Sequence, residues 1–492
     1  MNEELPLPSG KGARARLASP TPNKNSGRGA GCFRVPLRAK LAHAAHAPHA
    51  DQPPTFKSRL LRPFGVVLNG HLQLGLEVLL EEGVIKELRP HTGLPEPYVI
   101  SPSFVNAHSH LEYRGLQGKL HSDDYFSWIR EITEAKKSQT LDQVRESCLL
   151  AARENRATGV ARIAEHSDRP FASEALTAAS IDGVIYQELI TFLEQENPRE
   201  KIERVRQLAE RQQQGFSGVV AIGLHSAYTV DRTTLESFGS GKPAAGPRTQ
   251  DSTLSTPPNA QRTTNKASPP QDSAPSPKTQ DTRHKTSFLA HHSAQTSIHV
   301  AESLYENQFF RTGEGPIADF YRRNNVPFRP IGASVVAYLE SIGLAGSNVQ
   351  FVHCCDLSTD DIKILADAKV RVAHCPRSNT RLKCPTAPVR ELLDAGVRVG
   401  LGLDSPASSG PIDMFAEMRA ALGVSAYRGK PLTPEEVWSM ATTMGNESIG
   451  FGDEGWDIYQ GSTVPLIKVH IDNAYSTEDL IEQGSPASID WV

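Results

Sequence analysis

Short apolar, β-branched runs recur along most of this chain, each followed by a polar side chain and then by a stretch with helical spacing. The first spans Tyr98 to His110. Gly159–Ala164 ends at Glu165-His166, Gly183–Tyr186 at Gln187-Glu188, Gly218–Leu224 at His225 and Thr296–Ile298 at His299. Val349–Val352 ends at His353, Val370–Ala373 at His374 and Val397–Leu403 at Asp404. Strand and helix alternating in this way predict an α/β chain with a (β/α)8 TIM barrel over 101–445, whose chemistry gathers at the C-terminal ends of the strands. Strand ends that merely met solvent would carry mixed Ser, Thr, Asn and Lys. Histidines and carboxylates dominate here, which predicts one shared rim.

The flanks read differently. Gly65–Leu68, Leu72–Leu80 and Gly83–Leu88 are strand-like, and Asn69-Gly70 between the first two is a hairpin signal. Residues 56–100 are expected to form one part of a small β-sandwich module, and 446–492, with Leu466–Ile471, the other part. Thr433-Pro434-Glu435-Glu436 opens a helix expected to run to Met444, with a cap, a proline at the first helical position and a capping-box Glu. Residues 1–55 are rich in Ala, Pro, Gly, Ser, Arg and Lys and are expected to be a disordered leader. Residues 239–283 turn to Pro, Ser, Thr and Gln and are expected to be a disordered insertion. It follows Asp231–Phe238, two turns of helix, so it would leave the barrel's outside about 12 Å from the strand ends at ~1.5 Å per residue.

Composition narrows the partners. A chain of 492 residues with 38% hydrophobic content buries a large core, and a net charge of -4 supplies no field for nucleic acid or an anionic membrane. No apolar run is long enough to span a bilayer. The six cysteines show no C-x-x-C pair and no disulfide spacing, which suits a reducing compartment, the cytoplasm. A small molecule is the expected partner, with no nucleic acid and no membrane, and a homodimer is left open.

The candidate chemistry starts at Phe104–Glu112. Residues i and i+2 of a strand share a face, so His108 and His110 can reach one metal ion together. Further motifs follow in order: Leu224-His225-Ser226-Ala227-Tyr228-Thr229, Ser297-Ile298-His299-Val300-Ala301-Glu302, Val352-His353-Cys354, His374-Cys375-Pro376-Arg377-Ser378-Asn379 and Gly400-Leu401-Gly402-Leu403-Asp404-Ser405. With Val105-Asn106-Ala107-His108-Ser109-His110-Leu111-Glu112 these resemble the amidohydrolase superfamily, in its cytosine deaminase, guanine deaminase, adenosylhomocysteine deaminase and chlorohydrolase branch, from about 63 to 470 outside the insertion.

That resemblance implies one divalent metal held by His108, His110, His299 and Asp404, Zn2+ first and Fe2+ as the alternative. It implies a single ion, because the fourth strand ends in His225 and not in a bridging lysine. Asp404 would also take a proton from water, His353 would hold that water, and Glu302 would shuttle protons to and from the substrate. His225 is implied as a substrate contact, and Glu112 and Trp128 are expected to line the substrate cavity. Arg377 is expected either to face a substrate anion or to point outward. The Asn-Ala-His-Ser-His-Leu-Glu segment, Phe126-Ser127-Trp128-Ile129-Arg130 and Asp413–Arg419 are similar to deaminases of modified adenosines, including aminodeoxyfutalosine deaminase. The expectation is hydrolytic deamination of an aminopurine nucleoside-like substrate. The alternatives are a triazine or pyrimidine chlorohydrolase or aminohydrolase, and an inactive barrel serving as a binding or scaffold protein. Departures from the family are the leader, the insertion, Leu403 where threonine commonly precedes the aspartate, and the absence of a Gly-Lys-x-Ala-Asp ending.

Overall fold

The structure is a computed structural model that describes residues 58–192, 197–240, 295–452 and 455–492. The expected leader, 1–55, and residues 241–283 of the expected insertion lie outside the described residues. Gly239 and Ser240 do not: they close the helix Arg232–Ser240, where a side chain on Gly239 would meet the Ile342 carbonyl oxygen at 1.9 Å.

Ahead of the barrel come β1 (Ser58–Leu61), β2 (Pro63–Leu68), β3 (His71–Leu74), β4 (Leu76–Glu81), β5 (Val84–Pro90) and β6 (Glu96–Pro102). Asn69 and Gly70 link β2 to β3 with φ of 47° and 80°, the two positive values that a type I′ hairpin link needs. The run Leu72–Leu80, expected as one strand, is two. Gly75 at φ 78° breaks it, so β3 pairs with β2 while β4 pairs with β1 and β5. Tyr98–His110 also divides. Pro102 ends β6, the Ser103 amide donates to the Pro465 carbonyl, and the next amide, Phe104, donates to Gly159 at the foot of the barrel.

The barrel strands are β7 (Phe104–Ser109), β8 (Val160–Ser167), β9 (Asp182–Leu189), β10 (Val219–Ser226), β11 (Thr296–Val300), β12 (Val349–His353), β13 (Arg371–His374) and β14 (Val399–Leu401). They lie parallel in sequence order in one eight-stranded sheet. Alternation sorts their side chains. Ile163, Ile185, Ile298, Phe351, Val372 and Leu401 join the cluster that includes the surrounding helices, whereas Ala107, Ala164, Tyr186, Ala221, Val352 and Ala373 join another. Small residues at most of the latter positions leave room for the Tyr186 ring, which is fully buried.

The sheet closes where β7 meets β14, at a parallel bridge between Ser109 and Asp404. The Asp404 amide donates to the His108 carbonyl at 2.9 Å and the His110 amide to the Asp404 carbonyl at 3.3 Å. Asn106 stitches the same seam, its Oδ1 accepting from the Leu403 amide at 2.9 Å and the His108 amide at 3.3 Å. Gly402 is required for so close an approach, since a Cβ there would stand 2.7 Å from His108 Cβ and 2.8 Å from Cys375 Sγ.

Beyond the barrel, Thr433 and Glu436 form the expected capping box, but the helix stops at Met440 (Pro434–Met440) and a second one, Thr443–Ser448, follows. β15 (Leu466–Val469) then pairs antiparallel with β6 and with β16 (Ile489–Trp491), completing a five-stranded sheet with β2 and β3. Val66 and Ile100 of that sheet share an apolar cluster with Val78 and Ile85 of the three-stranded sheet β1-β4-β5.

Candidate active site

The strand ends bring the expected ligands together. The ligand atoms of His108, His110 and His299 lie within 4.8 Å of one another, and so do those of His108, His353 and Asp404. All are buried. Four non-glycine residues around this point hold left-handed backbone: Ala301 at φ 51°, His353 at 74°, Cys354 at 51° and Asp404 at 51°. Such conformations are costly and cluster at functional sites. Here the Cys354 amide bonds the Val300 carbonyl at 3.1 Å, and the Cys355 and Asp356 amides both bond the Ala301 carbonyl at 2.9 Å, which holds the turns in place.

Each imidazole is oriented by its Nδ1. In His110 it donates to the His166 carbonyl at 2.9 Å, and in His299 to the His225 carbonyl at 2.6 Å. That leaves both Nε2 lone pairs free, as metal-binding histidines require. His108 Nε2 is fully buried, has no hydrogen-bond partner among the described residues and stands 3.7 Å from Asp404 Oδ1. Burial, with the neighbouring imidazoles, holds His108, His110 and His299 well below the usual histidine range, so all three are neutral at pH 7. Three neutral imidazole nitrogens and one carboxylate, with an orphaned nitrogen among them, fit a divalent metal ion. A third group, Glu188, His225 and His299, meets the same distance limit. It shares His299, whose Nδ1 is committed to a carbonyl, so it offers no separate complete site.

Around the ligands stand the expected catalytic groups. Glu302 Oε1 lies 3.6 Å from His353 Nε2. Burial pushes the Glu302 carboxyl up, with the Asp404 charge adding to it and His353 opposing. The Asn379 amide nitrogen is 3.1 Å from His353 Nδ1, a donor that leaves the ring's own proton on Nε2. His225 is held through Nδ1 by the Thr229 hydroxyl at 2.9 Å, and its ring centroid is 5.1 Å from that of His299.

The remaining expected residues sit at the margin. Glu112 is buried, accepts from the Ser167 hydroxyl and lies 3.8 Å from Lys136 Nζ; burial and the nearby Asp168 push its carboxyl up to about 7. Trp128 belongs to an apolar cluster with Leu116, Tyr125, Ile132 and Leu382, its Nε1 buried with no partner among the described residues. Arg377 donates to the Pro411 carbonyl at 2.9 Å and faces the buried Glu417 at 3.7 Å. The structure adds residues that sequence reasoning had noted only as polar strand ends or not at all. His166 and Glu188 end β8 and β9, two positions past the buried Ala164 and Tyr186, and that spacing was the available signal. Asn379 and Tyr228 lie in the quoted motifs, but nothing in the sequence pairs Asn379 with His353 or the Tyr228 hydroxyl with that of Tyr125, 2.9 Å away.

The signature of the Amidohydrolase family matches residues 275–455. Over those residues the chain is similar to the amidohydrolase family. Among its relatives, the 5-methylthioadenosine/S-adenosylhomocysteine deaminase 2 of Archaeoglobus fulgidus is 27% identical over 352 residues, 70% of this chain and 69% of that protein. The 5'-deoxyadenosine deaminase of Methanothrix thermoacetophila is 26% identical over 78% of this chain and 79% of its own length. The 5-methylthioadenosine/S-adenosylhomocysteine deaminase of Desulfitobacterium hafniense reaches 40% identity, but over only 29% of this chain and 34% of that protein. Among solved structures, an adenosine deaminase from Xanthomonas campestris with bound zinc superposes with a TM-score of 0.67 at 20% identity, over 88% of this chain and 91% of the other. At that identity the likeness establishes the barrel fold.

Proposed function

We propose that this protein is a metal-dependent deaminase that hydrolyses the exocyclic C–N bond of an aminopurine nucleoside-like substrate. The observation that carries the reading is the pair of ligand groups that share His108, one with His110 and His299 and the other with His353 and Asp404, beside a buried Glu302. The adenosine-derivative deaminases among the relatives support the substrate class. Bound by His108, His110, His299 and Asp404, a divalent cation, Zn2+ with Fe2+ as the alternative, supplies the Lewis acidity that brings the pKa of water toward ~7.

The side chains then account for every proton. His353 holds the attacking water through Nε2–H. Asp404 takes one proton from that water as its oxygen bonds the ring carbon bearing the amino group. Glu302, whose carboxyl burial pushes above the usual range, gives a proton to the adjacent ring nitrogen. As the C–N bond breaks, the proton held by Asp404 leaves with the amine as ammonia. The new hydroxyl returns a proton to Glu302 and becomes the carbonyl of the product. His225 contacts the ring, and Glu112 and Trp128 border the cavity. Among the described residues no helix is long and apolar enough to cross a membrane. Cys148, Cys354, Cys355, Cys375 and Cys384 are free thiols, which supports a reducing, cytoplasmic setting.

The test is ammonia release from a panel of adenosine derivatives by zinc-loaded protein. Glu302→Gln is expected to lower kcat by ~10²–10⁴. Chloride release from a chlorotriazine with no ammonia from any nucleoside would refute the substrate class. Undiminished turnover in the variant would remove Glu302 from the reaction.

A further inference from the structure

His166 lies at the end of β8 and is 1% exposed, and nothing in the deaminase reading uses it. Its position is nonetheless central. His166 Nδ1 is 3.0 Å from Nδ1 of His108, its Nε2 is 2.8 Å from the Ser297 hydroxyl, and its carbonyl accepts from Nδ1 of His110 at 2.9 Å. One residue therefore touches two of the three imidazole ligands, one through its ring and one through its backbone.

Two nitrogens 3.0 Å apart in a pair of neutral rings share a single proton. If Ser297 accepts from His166 Nε2–H, then His166 Nδ1 is bare and accepts from His108 Nδ1–H, and His108 Nε2 presents a lone pair to the centre. If Ser297 donates instead, the whole chain reverses. His166 then donates to His108, and His108 Nε2 carries a proton where a cation would need electrons. The orientation of one serine hydroxyl thus selects the tautomer of a ligand on another strand.

We propose that His166 and Ser297 form a tautomer relay that sets His108 in its metal-binding form, with His166 acting as a positioning residue for the cation site. The relay rests on the metal-centre reading above. It differs from the way His110 and His299 are set: those rings donate to backbone carbonyls, which accept only, so their tautomer has no alternative. His108 alone depends on a partner that can also donate. Removing an outer partner of this kind lowers metal affinity by ~10–100-fold in comparable sites.

The experiment measures Zn2+ affinity of metal-free protein by chelator competition, together with the visible spectrum of the Co2+ form, and uses no turnover. His166→Leu removes the acceptor and is expected to weaken Zn2+ binding by ~10–100-fold and to alter the Co2+ bands. His166→Asn, whose Oδ1 can stand near the place of Nδ1, is expected to restore most of the affinity and the wild-type spectrum. Ser297→Ala reads the same relay without touching the ring, and is expected to fall between the two; it serves as the test if the leucine variant does not fold. Wild-type affinity and spectrum in His166→Leu, or equal losses in the leucine and asparagine variants, would overturn the relay while leaving the metal centre intact. Failure of the unsubstituted protein to take up Zn2+ or Co2+ would overturn the metal centre itself, and the relay with it.

Discussion

At the scale of single residues, several carboxylates of this protein have water almost completely withheld from them. Glu417 shows what that costs. It is fully buried, its Oε1 accepts the Arg377 amide at 3.0 Å, its Oε2 has no hydrogen-bond partner among the described residues, and burial pushes its carboxyl up to about 8 against the pull of Arg377. A carboxyl raised in the folded state binds more protons folded than unfolded between its two pKa values. Its contribution to stability is therefore complete below about 4.5 and is lost as pH rises toward 8. Glu417→Gln, which keeps the shape and cannot ionise, is expected to be more stable than the parent at pH 8 by up to a few kcal/mol, with the difference vanishing near pH 5. Urea unfolding of both proteins across that range measures it, and a difference independent of pH would refute it. From sequence, Arg377 has two readings, toward a ligand or toward solvent, and its actual partner is hidden because Glu417 lies forty positions away on the helix Met414–Tyr427. The ligands were legible for the opposite reason. His108-Ser109-His110, and His299 with Glu302 three residues on, carry their geometry within a single strand end, whereas the contacts of Asn379 with His353 and of His166 with His108 run between different elements, so a local motif does not reveal them.

At the scale of elements, the barrel strands were legible because each ends in a side chain unusual for its place, but the partners of the flanking strands were not. Leu72–Leu80 looks continuous in hydropathy, and only the φ of Gly75 assigns its halves to different sheets. Tyr98–His110 is buried throughout, its few polar residues falling in both halves, so no change of pattern marks the switch from one sheet to another at Ser103. The seam between β7 and β14 has a sharper requirement. A Cβ at Gly402 would meet the Cβ of His108 at 2.7 Å, and neither that atom nor the backbone behind it can swing aside as a long side chain would. Gly402→Ala is expected to destabilise the protein by ~1–3 kcal/mol through overpacking and to lower zinc occupancy by displacing His108. Thermal unfolding with metal analysis of the purified variant checks both. Loss of stability at full zinc occupancy would show that the strain is relieved away from the ligand.

For the whole molecule, the proposed metal ligands lie where the barrel has least holding it shut. β9 and β10 pair through six consecutive residues, Val219↔Val184 to Leu224↔Leu189, whereas β14 is three residues long and the bridge to β7, Ser109↔Asp404, lies just past its end. His108 and His110 lie on one side of that seam, Asp404 on the other, and His299 comes from β11 across the mouth. A cation held by all four therefore fastens the closing contact, and its binding free energy adds to the stability of the closed state in proportion to RT ln(1 + [L]/Kd), ~2.7 kcal/mol at a hundred times Kd. Local opening follows the weakest cooperative contacts first. Removing the metal is then expected to speed amide hydrogen exchange at His110 and Asp404, whose amides bond across the seam at 3.3 and 2.9 Å, far more than at Ala221 to Gly223 in the middle of β10. Adding zinc should restore protection to the parent protein and leave Asp404→Asn unchanged, because the variant lacks the charged ligand on one side. Exchange that quickens equally in β7, β10 and β14 would mean that the ion stabilises the barrel as a unit and gives the seam no special protection.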